Sequence, residues 1–216
     1  MQELTFEEAR VLAVLIEKAM ATPEQYPLTV NSLTLGCNQK SNRDPVVEFD
    51  EGVVMRSLNT LRSKGLADQA PPSAGARSNR YVHKALETLH WDRRQQAVLA
   101  ELILRGPQSP GELRGRAGRM TSLPDVTAVL AVIGELSAAQ PPWIVMLPRA
   151  PGRREDRYAH LLCGAVDVAA LTESESGAAS KAMPAAERET IGARVERLEQ
   201  TVEQLAERLA RLERGA

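Results

Sequence analysis

Arg56 and Asn59 lie three residues apart in a segment with helical spacing, and their side chains are shaped to bond guanine and adenine edges. Lys40, Ser41, Asn42 and Arg43 precede that segment, and Arg77 and Arg80 follow it. Cations and hydroxyls therefore flank it on both sides, the groups that hold a protein on a phosphate backbone. Thr60 and Ser63 add hydroxyls within the segment itself. Together these ten residues point to recognition of double-stranded DNA, without bond making. The plain alternative is a polar helix surface that is simply solvated.

Catalytic chemistry has little to stand on. His83, His90 and His160 are the only histidines, and the first and last share strand faces with Tyr81 and Tyr158, since strand side chains alternate. A structural role is expected for both. No nucleophile elbow, phosphate-cradling glycine loop or zinc-ligand pair occurs, so no catalytic residue, metal or cofactor is expected. Cys37 and Cys163 are too few for a disulfide scaffold and read as small buried side chains in a reducing compartment.

The elements that must position these residues come twice. Arg80-Tyr81-Val82-His83 returns as Arg157-Tyr158-Ala159-His160. Asp50, Val54, Leu58 and Leu61 answer to Asp125, Val129, Ile133 and Leu136, all at one offset of 75. A register kept across a helix and then a strand marks an internal repeat. In the first copy Thr5 and Glu8 have capping-box spacing, and Leu12, Leu15, Ile16 and Ala19 form one apolar stripe. In the second, Asp92 with Gln95 is a looser start, and Arg105-Gly106-Pro107 ends the first helix.

Thr29 and Ser109 cap short second helices, with Pro110 at the first helical position and Glu112 completing a box. Third helices are predicted from about Asp50 to Lys64 and from about Ser122 to Ala139. Extended segments follow over Leu66–Ala70 and Trp143–Leu147, then turn-rich stretches, then the Arg-Tyr-x-His strands. Three helices and a hairpin make the winged-helix arrangement, whose third helix is offered to the major groove. The predicted fold is mainly α with small β-hairpins (α+β). Its predicted parts are winged-helix domains at 1–86 and 87–164, a flexible linker at 165–184 and a coiled-coil helix at 185–214.

The tail reads differently from the repeats. Ile191, Val195, Leu198, Val202, Leu205, Leu209 and Leu212 alternate spacings of four and three, a heptad pattern that favours a parallel two-stranded coil over residues 191–213. A lone amphipathic helix packed on its own chain is the alternative. The expectation is a homodimer.

Charge tempers the DNA reading. The chain carries 27 Lys and Arg against 28 Asp and Glu, so any nucleic-acid contact must come from local patches. The second copy has no Lys or Arg between Arg119 and Arg149. Its alanine-rich third helix is expected to pack against another domain or subunit. Glu3, Glu7, Glu8 and Glu17 interrupt every early apolar run, so neither a signal peptide nor a membrane span is expected, and the location is read as cytoplasmic.

The segment Cys37-Asn38-Gln39-Lys40-Ser41-Asn42-Arg43-Asp44-Pro45, then Gly52-Val53-Val54-Met55-Arg56-Ser57-Leu58, then the two Arg-Tyr pairs resemble the YceH-like family of uncharacterised bacterial proteins. The resemblance covers roughly residues 3–164 and implies tandem winged-helix domains. It carries over no catalytic residue, cofactor or ligand. The functional expectation is a DNA-binding protein in transcriptional regulation. The alternative is a non-enzymatic adaptor for protein partners.

Overall fold

In the computed structural model the chain is described over residues 3–72, 78–149 and 155–166. The first repeat opens with α1 (Phe6–Ala21), where the Thr5 hydroxyl accepts from Glu8 N and the Glu8 carboxylate accepts from Thr5 N. A 3-10 turn at Pro23–Gln25 leads to α2 (Val30–Cys37), capped by Thr29, and then to α3 (Glu51–Ser63), capped by Asp50. Strands β1 (Ala67–Gln69) and β2 (Tyr81–His83) form an antiparallel pair.

The second repeat has the same order: α5 (Arg93–Arg105), α6 (Pro110–Ala117), α7 (Val126–Ala138), β3 (Ile144–Leu147) and β4 (Arg157–His160). A five-residue helix, α4 (Ala85–Leu89), joins the repeats. The described part is therefore mainly helical with two small antiparallel hairpins, as expected. Neither α4 nor the 3-10 turn is predicted from sequence, because each is too short to show a period. The linker and heptad tail lie outside the described residues.

Local chemistry explains the boundaries. Asp92 accepts from both Arg94 N and Gln95 N, and the Gln95 side chain accepts from Asp92 N, so the looser start is a complete capping box. Helix α7 begins at Val126 instead of Ser122, because the Asp125 carboxylate takes the cap by accepting from Ala128 N at 2.8 Å. At the end of α3, Leu66 N donates to Leu61 O and Gly65 N to Arg62 O, a Schellman ending. It requires a left-handed residue, and Gly65 supplies φ +70°.

The Arg-Tyr-x-His echo is a fold signature. Tyr81 exchanges backbone hydrogen bonds with Leu28, and Tyr158 does the same with Gln108. In each copy the preceding arginine donates to a proline carbonyl just upstream of that bridge: Arg80 to Pro27 O at 2.7 Å, and Arg157 to Pro107 O. The motif thus ties the entrance of the second helix to the last strand.

Helices α1 and α5 pack against each other and are buried nearly all round, from Glu8 to Glu17 and from Gln96 to Leu104. A helix apolar on every side is a central helix. Around the pair, α2 and α3 cover α1, while α6 and α7 cover α5. One hydrophobic core runs through both repeats.

Candidate nucleic-acid interface

Helix α3 separates its faces cleanly. Val54, Ser57, Leu58 and Leu61 are buried, whereas Arg56, Asn59 and Ser63 are exposed. Spacings of three and four put those three on one outward stripe. Thr60 is half-buried beside them and bonds back to Arg56 O at 3.2 Å, and Ser63 Oγ donates to Thr60 O at 2.8 Å. A Cβ built on Gly52 would lie 3.3 Å from Arg56 Nη1 and 3.0 Å from Asp50 Oδ1. The guanidinium and the capping carboxylate therefore both lie over that glycine.

Acidic groups border this stripe. Arg56 and Thr60 share a cavity of about 470 Å³ with Glu7, Glu8, Phe49 and Val53. Asp44, Glu48, Asp50 and Glu51 are exposed around the start of α3. Arg62, also exposed on α3 and 3.9 Å from Asp68, adds a second guanidinium, so the helix presents two arginines in a mixed field.

The long loop between α2 and α3 is fastened at several places. Asn38 pinches its ends, donating through Nδ2 to Phe49 O at 2.8 Å and accepting from Phe49 N at 2.9 Å. Asp44 N donates to Leu104 O at 2.8 Å, docking the loop on the end of α5. Arg10, fully buried on α1, donates to Cys37 O and Pro45 O and stacks on the Phe6 ring.

Arg43 requires a correction. Its side chain has no exposure and cannot reach a phosphate. It donates to Gly36 O and pairs with Glu17 Oε2 at 2.6 Å. Glu17 also accepts from Arg119 at 2.6 Å, and Arg119 reaches Glu101 at 2.8 Å, so the network spans both repeats. Burial alone would raise the Glu17 pKa, but Arg43, Lys18 and Arg119 outweigh it and hold the carboxyl below its usual range.

Sequence reasoning missed Arg10, Glu17, Glu101 and Arg119. For Arg10 and Glu17 the available signal was the unbroken apolar run between them, Val11 to Ile16, which marks a central helix whose flanking charges must be paired inside.

The remaining predicted residues divide. Lys40 and Ser41 are exposed at the loop tip, and Asn42 is half-buried with φ 58°. Arg80 is exposed but already holds Pro27 O. Arg77 lies outside the described residues. Among the described residues, Lys40, Ser41, Arg56, Asn59, Ser63 and Arg80 are therefore the exposed members of the set.

The groups with chemical potential elsewhere are quiet. His83 N donates to Tyr26 Oη, His83 Nδ1 accepts from Ala85 N, and burial lowers its pKa to about 4. His160, also held to about 4 by burial, leaves Nδ1 without a hydrogen-bond partner. Burial pushes the Cys37 thiol up to about 12, so it is protonated packing. Cys163 is exposed as a residue, against expectation, although its sulfur reaches Thr5 O. Among the described residues no three His, Cys, Asp or Glu side chains gather as a metal site, and no helix is long and apolar enough to cross a membrane.

Fold and site together define a mainly helical protein of two helix-and-hairpin repeats, with a polar outward stripe on the third helix of the first. A family model described as a protein of unknown function, DUF480, matches residues 4–153, and the chain belongs to this family. It is 50% identical over 186 residues to a UPF0502 protein of Geobacter sulfurreducens, covering 86% of this chain and 84% of the relative. It is 47% identical to a UPF0502 protein of Aeromonas hydrophila, covering 95% and 96%, and 42% identical to one of Shewanella sp. strain MR-4, covering 96% of each. The relatives are uncharacterised, in agreement with the resemblance read from sequence.

Proposed function

We propose that this protein binds double-stranded DNA through the outward stripe of α3, as a non-enzymatic cytoplasmic regulator of transcription. The observation that carries the reading is that Arg56, Asn59 and Ser63 stand exposed opposite the buried Val54, Leu58 and Leu61. Each repeat is read as a winged-helix domain, residues 1–86 and 87–164. In that arrangement the third helix enters the major groove, where Arg56 and Asn59 meet base edges. Lys40 and Ser41 at the loop tip and Arg80 beside the hairpin supply phosphate contacts. The heptads over residues 191–213 are read as a parallel coil joining two copies, so a dimer offers two such helices to one duplex.

A protein-adaptor role is the second reading, favoured by one observation. On α7, Val126 and Leu130 are exposed among Thr127, Ala131, Gly134, Ser137 and Ala138, leaving Glu135 as the charge on that surface. An uncharged exposed face of this kind suits a protein partner.

Titration of a mixed-sequence duplex at several salt concentrations separates the two. Counterion release predicts binding that weakens at least about tenfold between about 50 and 200 mM salt, and Arg56→Ala is expected to lower affinity about tenfold. No binding at low salt overturns the DNA reading and leaves the adaptor.

A further inference from the structure

A cavity of about 410 Å³ opens where the first repeat meets the second, lined by Lys64, Leu66, Thr88, Leu89, His90, Pro141 and Trp143. Its walls are fixed from several directions. Thr88 Oγ1 donates to Gly65 O at 2.6 Å, and Lys84 N donates to Leu66 O at 2.8 Å. Trp143 N donates to Leu136 O, and Leu161 N donates to Trp143 O. The Trp143 ring stands edge-on to buried Trp91, with centroids 4.9 Å apart at 89°. A preformed, largely apolar cavity of this size is what small-molecule sites use.

The polar groups define the head of the ligand. Lys64 Nζ donates to Glu8 Oε2 at 2.6 Å and to Glu3 O at 3.0 Å. An ammonium has three N–H donors, so one remains. Glu8 already neutralises the charge, and an anionic head would sit beside that carboxylate. A neutral carbonyl meets the third N–H without this repulsion. Thr88 Oγ1, a donor toward Gly65, keeps lone pairs for an amide N–H. Leu66, Leu89, Pro141 and the indole offer the body a flat apolar slot.

We infer that this cavity binds a small neutral carbonyl compound, a carboxamide being the best match, with a planar apolar body against Trp143. The inference is independent of the DNA reading. Because its lining comes from both repeats, an occupant contacts both at once.

The chain has two tryptophans, so the two indole N–H signals in a proton–nitrogen correlation spectrum report the site. Benzamide and benzoate, near-isosteres differing in charge, are the probes. Titration with benzamide is expected to move the Trp143 signal saturably, with benzoate about tenfold weaker. Thr88→Phe, which fills the mouth, abolishes the shift. Lys64→Met leaves the cavity open, weakens benzamide about tenfold and, with Glu8 no longer neutralised, keeps its preference over benzoate. Wild-type positions for backbone amide signals of α2 and α6, remote from the cavity lining, show that each variant is folded. No saturable shift with benzamide, equal affinity for benzoate, or an unchanged response in folded Thr88→Phe overturns the inference.

Discussion

Arg43 has its side chain wholly out of water, and Glu17, one of its partners, is equally buried. Removing Arg43 takes the fully buried partner from Glu17, leaving it to Arg119 and Lys18, and strips the donors from Gly36 O, a cost that outweighs the net value of the pair itself. Arg43→Ala is therefore expected to lower unfolding stability by about 3 kcal/mol in chemical denaturation. Because Glu17 has a depressed folded-state pKa, its contribution is full above its unfolded value of 4.5 and is lost as pH falls through the folded one. The histidines act earlier in the same direction. His83 and His160 titrate at about 4 when folded against 6.5 unfolded, so the unfolded chain takes up protons first as pH falls. Stability is then full above pH 6.5, declines toward about pH 4 and levels off below, by up to about 1.4 kcal/mol per pH unit for each histidine. Urea midpoints measured at pH 7 and pH 5 check this. A variant carrying His83→Gln and His160→Gln is expected to show a smaller fall.

At the scale of elements, the coil proposed for residues 191–213 yields the sharpest test. If the proposed coil forms, the heptad register places Leu198 and Leu205 at its seam, and Leu198→Glu with Leu205→Glu is expected to halve the mass of the particle by light scattering. Equal masses for the two forms would remove the interchain coil. Most of the described elements are legible in sequence because their ends carry local chemistry: Thr5 with Glu8, Ser109 with Glu112, and Gly65 all act where their spacing predicts. The start of α7 is misjudged, since Ser122 and Asp125 are both competent caps and only the folded chain shows which amides need one. The site is less legible. Lys40, Arg43, Arg56 and Arg80 are alike in sequence as cations, yet tertiary contacts assign Arg43 to an internal ion pair and Arg80 to a carbonyl. Nothing local to Arg43 foretells that Glu17, 26 residues earlier, will meet it. The echo Arg-Tyr-x-His reveals the repeat readily, but its cause, a shared bond to an upstream proline carbonyl, needs the fold.

On the scale of the molecule, two copies of one element order have diverged while sharing a core. The first keeps an outward arginine and amide on its third helix, and the second presents Ala131 and Gly134 at the equivalent places, with Glu135 beside them. The ion-pair chain Arg43–Glu17–Arg119–Glu101, buried except at Arg119, crosses between them, so the repeats meet through charges as well as apolar packing. The central claim is that DNA is engaged by the first of these helices and not the second. Amide hydrogen exchange of the full chain, with and without saturating duplex DNA at low salt, tests it most directly. Slowed exchange over residues 40–42 and 51–63, with residues 126–138 unchanged, is the predicted result. Protection confined to residues 126–138, or no protection anywhere, would contradict it.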